Sequence, residues 1–78
     1  MPISVRQVKA ARALLGWSQY DLARESGISE PTIARLEAVD GHVGGRERTA
    51  AKIKQALEAA GIEFTNGNSP GVKLRARR

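Results

Sequence analysis

Residues 19–37 read Gln19-Tyr-Asp-Leu-Ala-Arg-Glu-Ser-Gly-Ile-Ser-Glu-Pro-Thr-Ile-Ala-Arg-Leu-Glu37, and the fold turns on this stretch. Two short amphipathic runs meet at Gly27, where a tight turn needs a residue that tolerates positive φ without strain. Ala23, four residues earlier, is small enough to let the two helices approach each other. Leu22, Ile28, Ile33 and Leu36 are spaced to point inward between them. The second run opens with Ser29, a helix cap, and carries Pro31 in its first turn, where the missing N–H costs nothing. In a chain of 78 residues, this pattern holds one helix out in front of a small body.

The same start signal recurs upstream. Ser4 caps a first helix predicted over Val5–Leu15, with Gln7 three residues on completing a capping box and Gly16 as the terminating residue. Ile3 and Val8 flank the cap as a hydrophobic staple. Ser18 caps the second helix, flanked by Trp17 and Leu22, with the Asp21 charge in the first turn suiting the helix dipole. Ile28 and Ile33 flank Ser29 in the same way. Downstream, a fourth helix is predicted from Arg46 to Ala60, stopped by Gly61. Its stripe is Ala50, Ile53, Leu57 and Ala60, with Arg48, Lys52 and Gln55 turned to solvent.

The period then changes to two. Ile62-Glu-Phe-Thr65 and Val72-Lys-Leu-Arg75 alternate apolar with polar around the turn-forming Asn-Gly-Asn-Ser-Pro-Gly. This predicts a hairpin with Ile62, Phe64, Val72 and Leu74 on one face. A lone two-stranded hairpin is marginal in water, so that face is expected to pack on the fourth helix, or its edge to pair with a second copy. Ala76-Arg77-Arg78 is expected to be a mobile tail.

Composition narrows the function. Hydrophobic residues make up 41% of the chain, but the only aromatics are Trp17, Tyr20 and Phe64. The core must therefore be thin, built from helix stripes, in a chain near the size where one core begins to suffice. There is no cysteine, which excludes disulfides and thiolate metal sites. The start lacks a signal-peptide pattern, and no stretch approaches the roughly 20 apolar residues of a membrane span, so a cytoplasmic, nucleoid-associated protein is expected. The net charge is +5. Residues 1–61 hold nine basic and seven acidic side chains, and residues 62–78 hold four basic and one acidic, a balance that favours nucleic acid or anionic lipid. The loop 38–45 is rich in glycine, but no strand precedes it and no Lys-Ser/Thr follows, so it is no phosphate loop. His42 is the sole histidine and has no partners for catalysis or metal binding; it is read as a loop residue. No credible acid–base pair remains. The expectation is no enzyme, no cofactor and no metal.

Arg12, Ser18-Gln19, Leu22-Ala23, Gly27, Ser29, Thr32-Ile33 and Leu36-Glu37 together resemble the helix-turn-helix of the phage-repressor (Cro/CI, or XRE) family of bacterial and phage regulators. The resemblance covers about residues 5–60. It implies a mainly α, four-helix lambda-repressor-like DNA-binding domain at residues 1–61, with the helix-turn-helix at 19–38. Residues 62–78 would then be a C-terminal β segment with a basic tail. The third helix would enter the major groove of double-stranded DNA, with Glu30, Pro31, Thr32 and Arg35 at base edges. Gln19, Arg24, Ser29, Arg46 and Arg48 would meet the phosphate backbone, Gln19 also bracing the third helix. Arg12 and Glu37 match a partly buried structural salt bridge.

The expected function is a sequence-specific transcriptional regulator, most simply a repressor, acting as a homodimer on an inverted repeat. Ile62, Phe64, Val72 and Leu74 are the expected dimer contact, and removing residues 62–78 is expected to leave a folded monomer. The competing expectation is a protein-interaction module or antitoxin on the same fold, bound to a toxin or antiactivator. Glu30 and Pro31 favour it: a carboxylate in the groove repels phosphates, and proline offers only apolar contact.

Overall fold

Ser4, Ser18 and Ser29 each begin a helix, and each does so by the same chemistry. The computed structural model describes residues 3–41, 43 and 47–75. Its first three helices are α1 (Val5–Leu15), α2 (Gln19–Ser26) and α3 (Glu30–Glu37). Each serine Oγ accepts the backbone N–H three residues on, that of Gln7, Asp21 or Thr32. At Ser4 the Gln7 Oε1 accepts the cap N–H in return at 2.9 Å. Asp21 Oδ2 does the same for Ser18 at 2.9 Å, a second capping box where the sequence suggested a dipole effect. That backbone N–H is the main reason the Asp21 carboxyl lies below the usual carboxylate range. Gly27 leaves α2 at φ 75°, the left-handed turn its position demanded.

The fourth helix, α4, spans Glu47–Ala59. It ends one residue earlier than expected, and Arg46, the expected first residue, lies outside the described residues. So do His42 and the tail 76–78. Ile3, Val8, Ala11, Leu22, Ile33, Ile53, Leu57 and Ile62 form the core, each at most 3% exposed. Trp17, Ile28, Leu36, Phe64 and Val72 pack at its margin. α2 packs against both α3 and α4, so the helix-turn-helix is built onto the body rather than attached to it. The backbone of the following loop closes over the N-terminus. Val5 N–H donates to Gly41 O at 2.7 Å and Val43 N–H to Ile3 O at 2.9 Å. Among the described residues no helix is long and apolar enough to cross a membrane.

The hairpin consists of β1 (Ile62–Thr65) and β2 (Gly71–Leu74), antiparallel, with Ile62 opposite Leu74 and Phe64 opposite Val72. β2 begins and ends one residue earlier than expected, although Arg75 N–H still donates to Gly61 O at 2.9 Å. Gly61 has φ 107°, and a Cβ there would come within 3.3 Å of Leu74 Cδ1. The hairpin was expected to pack on the fourth helix. β1 does so, but β2 packs against α1.

The reason lies in Gln7, which is 5% exposed. While its Oε1 caps α1, its Nε2 donates to Thr65 O at 2.9 Å and to Gly71 O at 3.1 Å. One amide thus joins the start of α1 to the turn end of both strands. The hairpin is not an appendage either: Ile62 is 1% exposed inside the shared core. Removing residues 62–78 would therefore uncover the core, which argues against a folded truncated monomer. Gln7→Ala should leave two hairpin carbonyls and the cap N–H without their partner, at a cost of about 1–3 kcal/mol. In a domain this small that lowers the thermal midpoint by about 4–8 °C per kcal/mol. Circular dichroism melts would register it, and Gln7→Glu, which keeps the cap acceptor but turns a carboxylate toward two carbonyls, should recover none of the hairpin contact.

Candidate nucleic-acid interface

The orientation of α3 is set from behind by one carboxylate. Glu37, in the last turn of α3, has a side chain only 5% exposed, against 19% for Arg12. Arg12 grips it with two parallel bonds, Nε to Oε2 at 2.8 Å and Nη2 to Oε1 at 2.6 Å. Such a fork fixes angle as well as distance. The remaining Arg12 nitrogen, Nη1, donates to Trp17 O at 2.9 Å in the link between α1 and α2. Gln19 Nε2, at the start of α2, donates to Glu37 Oε1 at 3.0 Å. A single buried acid therefore ties together α1, the first turn of α2 and the end of α3.

Burial pushes the Glu37 carboxyl up, but the bonds from Arg12 and Gln19 and the charges of Arg12 and Lys9 outweigh it, and the group lies below its ordinary 4.5. Gln19 is thus engaged inward in this structure, bracing α3 through Glu37.

On its outer side α3 presents Glu30, Pro31, Ala34 and Arg35, all exposed. Among the described residues Arg35 makes no hydrogen bond and no ion pair, so its guanidinium is available. Thr32 is half-buried, and its hydroxyl shares a 2.8 Å bond with Ser29 Oγ. That bond uses one of the two hydroxyl hydrogens and leaves the other free to donate outward. Glu30 sits in the first turn, where a negative charge suits the helix dipole. On the flanks, Arg24 is 61% exposed on α2 and loosely paired with Glu25 at 3.4 Å. Arg48 is exposed near the start of α4. Arg46, expected beside it, lies outside the described residues.

The structure thus brings Glu30, Pro31, Ala34 and Arg35 onto one open face. It holds Arg12, Gln19 and Glu37 behind that face, and sets Ile62 apart from any outer surface. Sequence reasoning passed over the second bond set of Gln7 and the exposure of Tyr20. Neither has a local sequence signal, since both depend on what the finished fold places opposite them.

Two helices crossing at a glycine turn, the second braced from behind and bare in front, define a helix-turn-helix. Residues 8–38 match a helix-turn-helix family model, a match that supports a DNA-binding regulator of the phage-repressor-like, XRE type. No curated protein matches the chain.

Because the Glu37 pKa is lowered on folding, its contribution is present above about pH 4.5 and is lost as the pH falls through the folded-state value. Acid unfolding followed by Trp17 fluorescence should show that loss, and Glu37→Gln should flatten it while being less stable at neutral pH. Arg12→Ala strands a buried carboxylate and should cost about 3 kcal/mol, the low end for a broken buried pair since Arg12 keeps some solvent.

Proposed function

We propose that the protein is a transcriptional repressor that binds an inverted-repeat operator as a homodimer, each protomer laying α3 in the major groove. The observation that carries this reading is the outer face of α3, with the free Arg35 guanidinium, on a helix whose angle is locked by Arg12, Gln19 and Glu37. Arg35 takes a guanine edge bidentately. The Ser29–Thr32 hydroxyl pair donates to a base or a phosphate oxygen, and Glu30 accepts from a cytosine amino group. Pro31 adds apolar contact. Arg24 and Arg48, with Gln19 and Arg46, supply backbone contacts, which provide most of the affinity and make it fall with salt.

A single α3 reads few base pairs, so two half-sites about one helical turn apart supply the specificity. The dimer contact proposed for Ile62, Phe64, Val72 and Leu74 narrows here. Ile62 is committed to the protomer's own core, whereas Leu74 is 39% exposed and lies on a two-stranded sheet with open edges. The division into a DNA-binding unit, 1–61, and a dimerisation element, 62–78, is on this proposal one of function, within a single core. The competing reading, an interaction module or antitoxin, draws support from Glu30 and Pro31 standing exposed where a DNA reader gains least from them.

Selection from a random duplex library at near-physiological salt should enrich an inverted repeat, and Arg35→Ala should weaken binding to it by about 1–3 kcal/mol while relaxing one position. Binding without enrichment that vanishes as salt rises would move the interaction module to the front. For the dimer, Leu74→Asp should shift sedimentation toward a monomer without emptying the core; a variant that still sediments as a dimer would remove the hairpin from that role.

A further inference from the structure

Tyr20 stands 57% exposed in the first turn of α2, beside Gln19, whose amide is fastened to Glu37. Four residues on, and so on the same helix face, the Arg24 guanidinium carbon lies 6.0 Å from the centre of the tyrosine ring, at the outer range of a cation–π contact. The Tyr20 hydroxyl makes no hydrogen bond among the described residues. Arg24 has a second neighbour, Glu25 at 3.4 Å, with both side chains largely in water; such a pair holds weakly and yields readily to a stronger anion. The other nearby acid, Asp21, has its carboxylate turned onto the Ser18 N–H. In a helix-turn-helix on DNA, the helix preceding the recognition helix crosses the phosphate backbone, and tyrosine hydroxyls are among the groups that bind phosphate oxygens there.

We infer that Tyr20 and Arg24 act as one phosphate-binding unit: the phenol donates to a phosphate oxygen, and the ring holds the Arg24 guanidinium against the same strand, where the phosphate displaces the weak pairing with Glu25. Tyr20 is then both a contact and a positioning residue. This rests on the DNA-binding reading but not on the operator sequence or on the dimer.

The test is equilibrium binding of the full chain to duplex DNA across a salt series, with Tyr20→Phe, Tyr20→Ala, Arg24→Ala and the Tyr20→Ala/Arg24→Ala double variant. Tyr20→Phe removes one hydrogen bond to a charged phosphate, given by an uncharged donor, and should weaken binding about 10-fold or more with the salt slope unchanged. Arg24→Ala should lower the slope by about 1. Tyr20→Ala should weaken binding at least as much as Tyr20→Phe and lower the slope in part, and the double variant should lose less than the product of the two single losses, because the second change acts on a unit already broken. Tyr20 is exposed, so thermal midpoints should stay within a few degrees of the parent and separate this from misfolding. Independent, multiplying effects of Tyr20→Ala and Arg24→Ala would overturn the inference, as would a Tyr20→Ala chain that binds like the parent. A parent chain that binds no duplex at any salt would instead overturn the DNA-binding reading beneath it.

Discussion

Everything that faces outward on α3 depends on a carboxylate that faces inward. Glu37 is buried at the far end of the helix, and an unpaired charge there would cost more than the helix could return. Arg12 and Gln19 satisfy it from two other elements, and Arg12 reaches a third through the Trp17 carbonyl. A pair of aliphatic side chains could fill the same volume at no energetic disadvantage, since buried ion pairs add little net stability. Aliphatic contacts, however, let one helix slide or roll on another. A bidentate guanidinium–carboxylate fork has one good geometry. The arrangement therefore adds to the packing of Ile33 in the core a polar contact that gives the front of α3 a defined angle.

Gln7 does for the C-terminal hairpin what Glu37 does for α3. Its two ends serve different masters: the carbonyl completes the cap of α1, and the amide nitrogen bridges the two strands where they enter the turn. Ile62 secures the other end of the hairpin within the core. A two-stranded sheet that would be marginal alone is thereby held at both ends by the helical body. Any copy of the chain that met the exposed edge would stand in a fixed relation to α3. Half-site spacing on DNA demands such a relation.

The helices could be read from the chain because their determinants are local. Ser4, Ser18 and Ser29 with their staples, and Gly16 and Gly27 in the left-handed region, mark the helix ends almost to the residue. Strand pattern and facing were equally open, since period-two alternation places Ile62, Phe64, Val72 and Leu74 together whatever lies beneath them. Long-range contacts were not open in this way. Arg12 and Glu37 are 25 residues apart, and nothing in their spacing links them; the link came through the family resemblance. Gln7 announced its cap but not the hairpin 58 residues away. Ile62 looked available to a partner because alternation reports a shared face and says nothing of which member of that face is buried.

The chemistry on the front of α3 explains why a reader of this kind would need help from elsewhere. On the proposed function, the helix offers one cation, Arg35, one free hydroxyl hydrogen from the Ser29–Thr32 pair, an apolar proline and a carboxylate. Only the first binds strongly, and Glu30 opposes the approach to phosphate even as it favours the helix N-terminus. Affinity must then come from the flanks, from Arg24 on α2 and Arg48 on α4 with their neighbours. A division of labour follows: strong, salt-sensitive contacts that carry no sequence information, and a few weak ones that do. With so few base-reading groups per protomer, discrimination requires that two sets be read at once. The need for a second copy thus arises from the composition of α3 itself, before any interface is considered.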